Sequence, residues 1–195
     1  MQKITDISGK TIPLAMNDVD TDLIIPAQYL TSVTQQGYGE NLFRRLRDND
    51  KNFVFNQPKF VGATVLIAQK NFGCGSSREH AVWALQQAGI QAIIAESFAD
   101  IFFSNSAKNG LVLIAFPQDI IQKMINLSGE GDYYLTIDLV GQNVTTNDNE
   151  IFHFNMDPFQ KHCFINGLDQ LDYLLSHSSE INNYKKSHQR IFVDV

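Results

Sequence analysis

The residues Asn71-Phe72-Gly73-Cys74-Gly75-Ser76-Ser77-Arg78-Glu79-His80 concentrate the side chains that could do chemistry. They fall where a strand pattern ends and a helical pattern begins, which is where open α/β sheets bind their ligands. Two glycines permit backbone conformations that other residues resist. The unpaired N–H groups of a helix start, with the helix dipole behind them, favour a carboxylate or phosphate. Arg78 adds a planar two-pronged donor for the same kind of anion. Three familiar motifs come close and fail. Gly73 and Gly75 open a G-x-G-x-x-G pattern with Glu96 at a ribose-contact distance, but the third glycine position is Arg78, so a dinucleotide does not fit. No Lys-Ser/Thr follows the glycines, which excludes a P-loop, and neither local cysteine-protease signature surrounds Cys74. The plainer reading is a helix N-cap: serines are favoured there and glycines make the turn. It leaves Arg78 unexplained, because an arginine in the first helical turn opposes the dipole and calls for an anionic partner.

A second polar segment, Asn17 to Pro26, has alternating aspartates like the opening of a calcium loop. Leu23 stands where that loop needs glycine and Tyr29 where it needs glutamate, so the segment reads as an Asx-rich turn before an apolar strand. His153, His162, His177 and His188 have no metal-like spacing, and Cys163, beside Phe164 and Ile165, reads as a small buried hydrophobe.

The elements that must position these residues are clearest in the middle of the chain. ATVLIA (63–68), QAIIA (91–95) and LVLIA (111–115) are short apolar runs of buried-strand type separated by two helical patterns, a βαβαβ layout. The first helix is predicted to start at Ser76 or Ser77, to bury Ala81, Val82, Leu85 and Ala88, and to end at Gly89; the second runs from Ser97 to Gly110. Upstream, QKITDIS and GKTIPLA read as strands of an early hairpin and GYGENLFRRLRD as a short basic helix. Downstream come a helix near 118–127, a hairpin within 133–155, and helical stretches after Pro158 and Asp169. The sum is a mixed, layered α/β domain.

At 195 residues, with 44% hydrophobic and 18% charged side chains, the chain fits one folded domain. A net charge of −6 argues against broad nucleic-acid or acidic-membrane surfaces. No leader pattern and no run near the roughly 18–20 apolar residues of a membrane span is seen, so a soluble, cytoplasmic protein is expected. Two cysteines cannot supply a disulfide framework or ligate an iron–sulfur cluster by themselves.

Four segments, NDVDTDLIIPAQYL, NFGCGSSREHAVWAL, ESFADIFFSNSAKNGL and KHCFINGLDQLDYLL, in this order, resemble the small-subunit family of the bacterial 3-isopropylmalate dehydratases, in the aconitase superfamily. The resemblance implies an aconitase-type swivelling domain, β/β/α layered with a mixed sheet, spanning 1–195 with a helical C-terminal extension from about 169. It implies no cofactor on this chain and a large-subunit partner carrying a [4Fe–4S] cluster on three cysteines. The small dicarboxylate substrate, 2-isopropylmalate, would become 3-isopropylmalate through isopropylmaleate. Ser76 would be the base, as an alkoxide; Ser77 would help hold substrate and oxyanion, and Arg78 would clamp a carboxylate. A serine can serve as base only where its anion is strongly stabilised. A second arginine is expected at Arg47, among Arg44, Arg45 and Arg47, although Leu46 replaces the tryptophan of the family pattern. Leu30 and Thr31 would line the substrate side-chain pocket. Gly73, Cys74, Gly75, Glu79, His80, Asp20 and Asp22 would support these groups from behind. Two alternatives stand beside this: the same chemistry on homoaconitate or on methylmalate and citraconate, and a non-catalytic anion-binding module. No long basic group in Tyr29–Ser32 favours an extra carboxylate, which leans towards an apolar tail.

Overall fold

The computed structural model describes residues 1–30 and 36–188. One seven-stranded mixed sheet organises them, in the order β4-β3-β2-β1-β5-β6-β7. Strands β1 (Asp6–Leu14), β2 (Val65–Ala68), β3 (Ala92–Ala95) and β4 (Val112–Ala115) are parallel; β5 (Tyr134–Asp138), β6 (Asn143–Thr146) and β7 (Ile151–His153) extend the sheet from β1 as an antiparallel meander. Strands β2 and β3 are buried at every position, as expected of parallel strands covered on both faces.

Alternation along these strands divides the core in two. Leu66, Ala68, Ile93 and Ala95 face one layer, closed by α1 (Thr21–Ile24), α3 (Glu79–Gln87) and α4 (Asp100–Asn109) through Ile24, Val82, Leu85 and Phe102. Val65, Ile67, Ala92 and Ile94 face the other, filled by α5 (Gln118–Ser128) and by Leu135, Ile137 and Val144 of the meander. Phe116, just beyond one sheet edge, meets Phe152 on the opposite edge strand at 5.9 Å between ring centroids. The sheet therefore curls back on itself, giving two β layers with helices outside: the β/β/α arrangement.

The predicted central strands and the helix near 118–127 are where the sequence places them; four details differ. The early hairpin is one strand, because Gly9 does not turn. It is glycine because the Thr64 side chain occupies the space a Cβ would take. The hairpin within 133–155 is a three-stranded meander, its second turn closed by Thr146 bonding both the backbone and, through its hydroxyl, the N–H of Glu150. Both helices of the central unit begin three residues or so late, at Glu79 and Asp100, and Ala88 is exposed. Ser97 cannot start α4, since its hydroxyl and carbonyl accept the N–H groups of Asn71 and Phe72. Of the basic stretch, only α2 (Arg44–Asn49) is α-helical, entered through Phe43 at φ +50°. Beyond the meander lie α6 (Pro158–Asn166), α7 (Gln170–Ser176) and α8 (Ser178–Ser187).

Candidate active site

Two loops at one end of the parallel strands build the site, and each is the other's template. Gly73 N–H donates to the Val19 carbonyl at 2.7 Å and Thr21 N–H to the Cys74 carbonyl at 2.9 Å. Asn71 Nδ2 donates to Asp18 Oδ1 at 2.7 Å. Asp18, Asn71, Gly73 and Gly75 all have positive φ, the sharp bends that let loops 17–26 and 71–78 run side by side. Gly73 has no alternative, because a Cβ there would collide with the buried Phe102 ring. Asp20, expected to lead into a strand, instead caps α1 by accepting the N–H of Leu23 at 2.6 Å.

The serines are not helix caps. Arg78 holds the N-cap of α3 in an extended conformation, leaving Ser76 and Ser77 exposed in the preceding loop. Thr21, itself buried, donates its hydroxyl to the Ser76 carbonyl at 2.8 Å and lies 3.3 Å from Ser76 Oγ. Its single proton can serve one of these oxygens at a time.

The anionic partner that Arg78 requires is inside the chain. Arg78 Nη1 donates to Asp22 Oδ1 at 2.7 Å and to the Ile25 carbonyl at 3.4 Å. The Nε–Nη2 edge makes no bond among the described residues, and that edge is itself a two-pronged carboxylate donor. Asp22 Oδ1 also accepts the Ala27 N–H, and its Oδ2 lies 3.2 Å from Arg45 Nη2. The Arg78 hydrogen bond, then the Ala27 N–H, hold the Asp22 carboxyl below its usual range.

Among the three candidate arginines, Arg45 joins this cluster. Arg47, singled out in the sequence, instead bonds Asn56 and the Glu40 carbonyl, and Arg44 pairs with Asp48. Glu79 is exposed and accepts from Asn109, which also accepts the Trp83 indole N–H. His80 packs edge-on against Tyr38 and Trp83. Leu30 is half-buried against the core, and Thr31 lies outside the described residues. Burial, with Asp20 and Asp18 nearby, pushes the Cys74 thiol up, which keeps it protonated and a poor nucleophile. Thr21 was not among the site residues expected from the sequence, and Arg45 was one of three candidate arginines of which Arg47 was preferred. Thr21 was visible between two aspartates; nothing in the sequence separates Arg45 from its neighbours.

The residues do not fit an iron–sulfur cluster. Among those described no three His, Cys, Asp or Glu side chains converge, and Cys74 and Cys163 are free thiols, one at the site loop and one buried in α6.

Fold and loop pair together define a C-terminal domain of the aconitase type: residues 1–119 match the Aconitase C-terminal domain. The 3-isopropylmalate dehydratase small subunits of Francisella tularensis subsp. novicida and Francisella philomiragia subsp. philomiragia are 49% and 48% identical to it over 187 residues, 96% of this chain and 98% of theirs. A crystal structure described as 3-isopropylmalate dehydratase from Methanocaldococcus jannaschii is similar at a TM-score of 0.68 and 29% identity, covering 92% of this chain and 99% of that one. The chain belongs to the small-subunit family of the 3-isopropylmalate dehydratases.

Proposed function

We propose that this chain is the small subunit of a cytoplasmic hydro-lyase that converts 2-isopropylmalate to 3-isopropylmalate through isopropylmaleate, and that it works only with a large subunit. The observation that carries the reading is the pairing of an exposed serine with a half-engaged arginine on one loop. In the forward elimination Ser76 Oγ, as alkoxide, takes the proton from the carbon next to a carboxylate; the C–H electrons form the double bond as hydroxide leaves. Rehydration with the opposite regiochemistry returns the proton from Ser76. The described residues offer no ligand set for a cluster, so Lewis-acid help to the departing hydroxide would have to come from a group held by the large subunit.

Thr21 supports the base: when Ser76 is an alkoxide, the Thr21 proton can turn from the carbonyl to Oγ. Ser77, the next exposed hydroxyl, assists in holding the substrate oxygen. Arg78, fixed through Nη1 by Asp22, presents Nε and Nη2 to a substrate carboxylate, with Arg45 completing the positive wall behind Asp22. The test is steady-state hydration of isopropylmaleate by the two reconstituted subunits. Ser76→Ala is expected to lower kcat with KM nearly unchanged, since the base acts mainly in the transition state. Arg78→Lys is expected to raise KM by about 2–4 kcal/mol of lost binding. Near-normal turnover of the first, or near-normal KM of the second, would remove these roles.

A further inference from the structure

Helix α3 carries the site's arginine at its N-cap, so the rotation of the helix about its own axis decides where that arginine points. The face it buries is Ala81, Val82, Ala84 and Leu85. Apolar burial is non-directional, and a face half made of alanine presents few knobs to fix a rotation. The direction comes from two polar seams on the outer side of the helix.

One seam runs along Glu79, Trp83 and Gln86, spaced four and three apart and so on one face. All three bond a single residue, Asn109, the last of α4. Its Oδ1 accepts the Trp83 indole N–H at 2.9 Å, and its Nδ2 donates to Glu79 Oε1 at 2.7 Å and to the Asn105 carbonyl at 2.9 Å. Its own carbonyl accepts Gln86 Nε2 at 2.7 Å. The indole can only donate, which fixes the amide's orientation and aims its protons at the two acceptors. Aspartate, of the same size, has no proton to give Glu79, and leucine has neither group. Asparagine is also a poor helix former, so its place in the last turn of α4 is not owed to propensity. The other seam belongs to Tyr38 and Gly39, whose N–H groups both donate to Gln87 Oε1, at 2.8 and 3.3 Å, while the Tyr38 ring packs on His80 and Trp83. Trp83 touches both seams.

The Asn109 seam ends one peptide bond from the site, because Glu79 is the first residue of α3 and Arg78 its N-cap. Arg78 reaches across to a separate segment to meet the Asp22 carboxylate and the Ile25 carbonyl, and a turn of α3 would spoil that alignment. We infer that Asn109 is a positioning residue. By holding Glu79, Trp83 and Gln86 it sets the rotation of α3, and with it the direction in which Arg78 offers Nε and Nη2 to the substrate carboxylate. The inference rests on the function proposed above and adds a residue that, among the described residues, bonds neither serine nor Arg78 itself. Glu79 was expected behind the site; what holds Glu79 there was not.

The experiment is steady-state hydration of isopropylmaleate by the full chain reconstituted with its large subunit. Asn109→Leu keeps the volume and removes the side-chain bonds of the seam. KM is expected to rise at least about threefold with kcat within about twofold, because the displaced group binds substrate and does not take the proton. Arg78→Lys already lacks the two-pronged donor, so adding Asn109→Leu to it is expected to raise KM no further. Glu79→Gln keeps the acceptor and is expected to keep the wild-type KM, whereas Glu79→Leu, at an exposed position, is expected to match Asn109→Leu. A smaller rise in KM for Asn109→Leu, even with a lowered Tm, makes Asn109 a packing residue and overturns the inference. So does an equal rise in the Arg78→Lys background, or a Glu79→Gln variant as impaired as Glu79→Leu. If Asn109→Leu does not fold, Glu79→Leu, alone and with Arg78→Lys, decides by the same limits. Absence of hydration by the wild-type pair overturns the functional reading and the inference with it.

Discussion

The site loops and the C-terminal helices are opposite solutions to holding a surface in place. Loops 17–26 and 71–78 have little regular structure and several positive φ values, yet they are tied to each other by backbone bonds at Gly73–Val19 and Thr21–Cys74 and by the side-chain bonds of Asn71, Thr21 and Arg78. Helices α7 and α8 are regular, α7 with a local capping box, yet both leave large apolar side chains facing outward. The first region is held by tertiary bonds, the second mainly by local rules, with Tyr173 of α7 packed on Phe159 and His162. Damage to the loops should therefore appear in stability and chemistry, and damage to the helices in their own order.

Gly73→Ala breaks the loop side hardest. The added methyl meets Phe102, which cannot retreat from the core, and the residue keeps a φ of +78°. A loss of about 3 kcal/mol in urea unfolding is expected. Gly75→Ala shares the positive φ, but its nearest contact is an ordinary 3.4 Å to Asp20, so about 1 kcal/mol is expected. Equal losses would show that backbone conformation, and not the approach to Phe102, sets the cost.

Asp22→Asn keeps the shape and removes the charge that anchors Arg78. KM for isopropylmaleate in the reconstituted enzyme is expected to rise about tenfold, with Tm little changed. Because the carboxyl is held below its ordinary value, the pair is complete above that value, about 3.9, and is lost only as pH falls through the lowered one. Wild-type KM should then show no change between pH 6 and pH 8 from this source.

Thr21→Val retains the volume and removes the proton shared between the Ser76 carbonyl and Oγ. A fall in kcat of about fivefold, with KM within about twofold, is expected. A larger effect on KM would make Thr21 a part of the substrate pocket. Smallest of all, and on the helix side, Asp169→Ala removes the cap of α7. It should cost that helix about 1 kcal/mol, read as faster amide exchange in 170–176 with global Tm unchanged.

The parallel half of the fold was legible because β2, β3 and β4 are buried on both faces, and unbroken apolar runs of that length have few other uses. The meander was read one strand short, since β6 (Asn143–Thr146) lies within the polar Gly/Asn/Asp stretch that reads as the turn of a hairpin. The serine-arginine motif was legible from composition and position. Its geometry was not. Whether Ser76 caps a helix or precedes it depends on contacts with residues more than fifty positions away, Val19 and Thr21, which no local propensity encodes. The same holds for the arginines: Arg45 and Arg47 differ in which way they leave a short helix, and Phe43, in a left-handed conformation ahead of it, sets that direction.

The central position of β1 has a consequence for how the molecule comes into being. It is the first strand synthesised, and Thr11 must wait for Val65 and Asp6 for Asp138 before both of its edges are paired. Until the meander has left the ribosome, the strand from whose end one site loop departs has an open edge, and the curl that brings Phe116 to Phe152 cannot close. Sheets joined by such distant pairings fold in milliseconds to seconds, not microseconds. A nascent chain stopped short of residue 138 would carry the whole serine motif and still present an unpaired strand, the kind of edge on which aggregates grow.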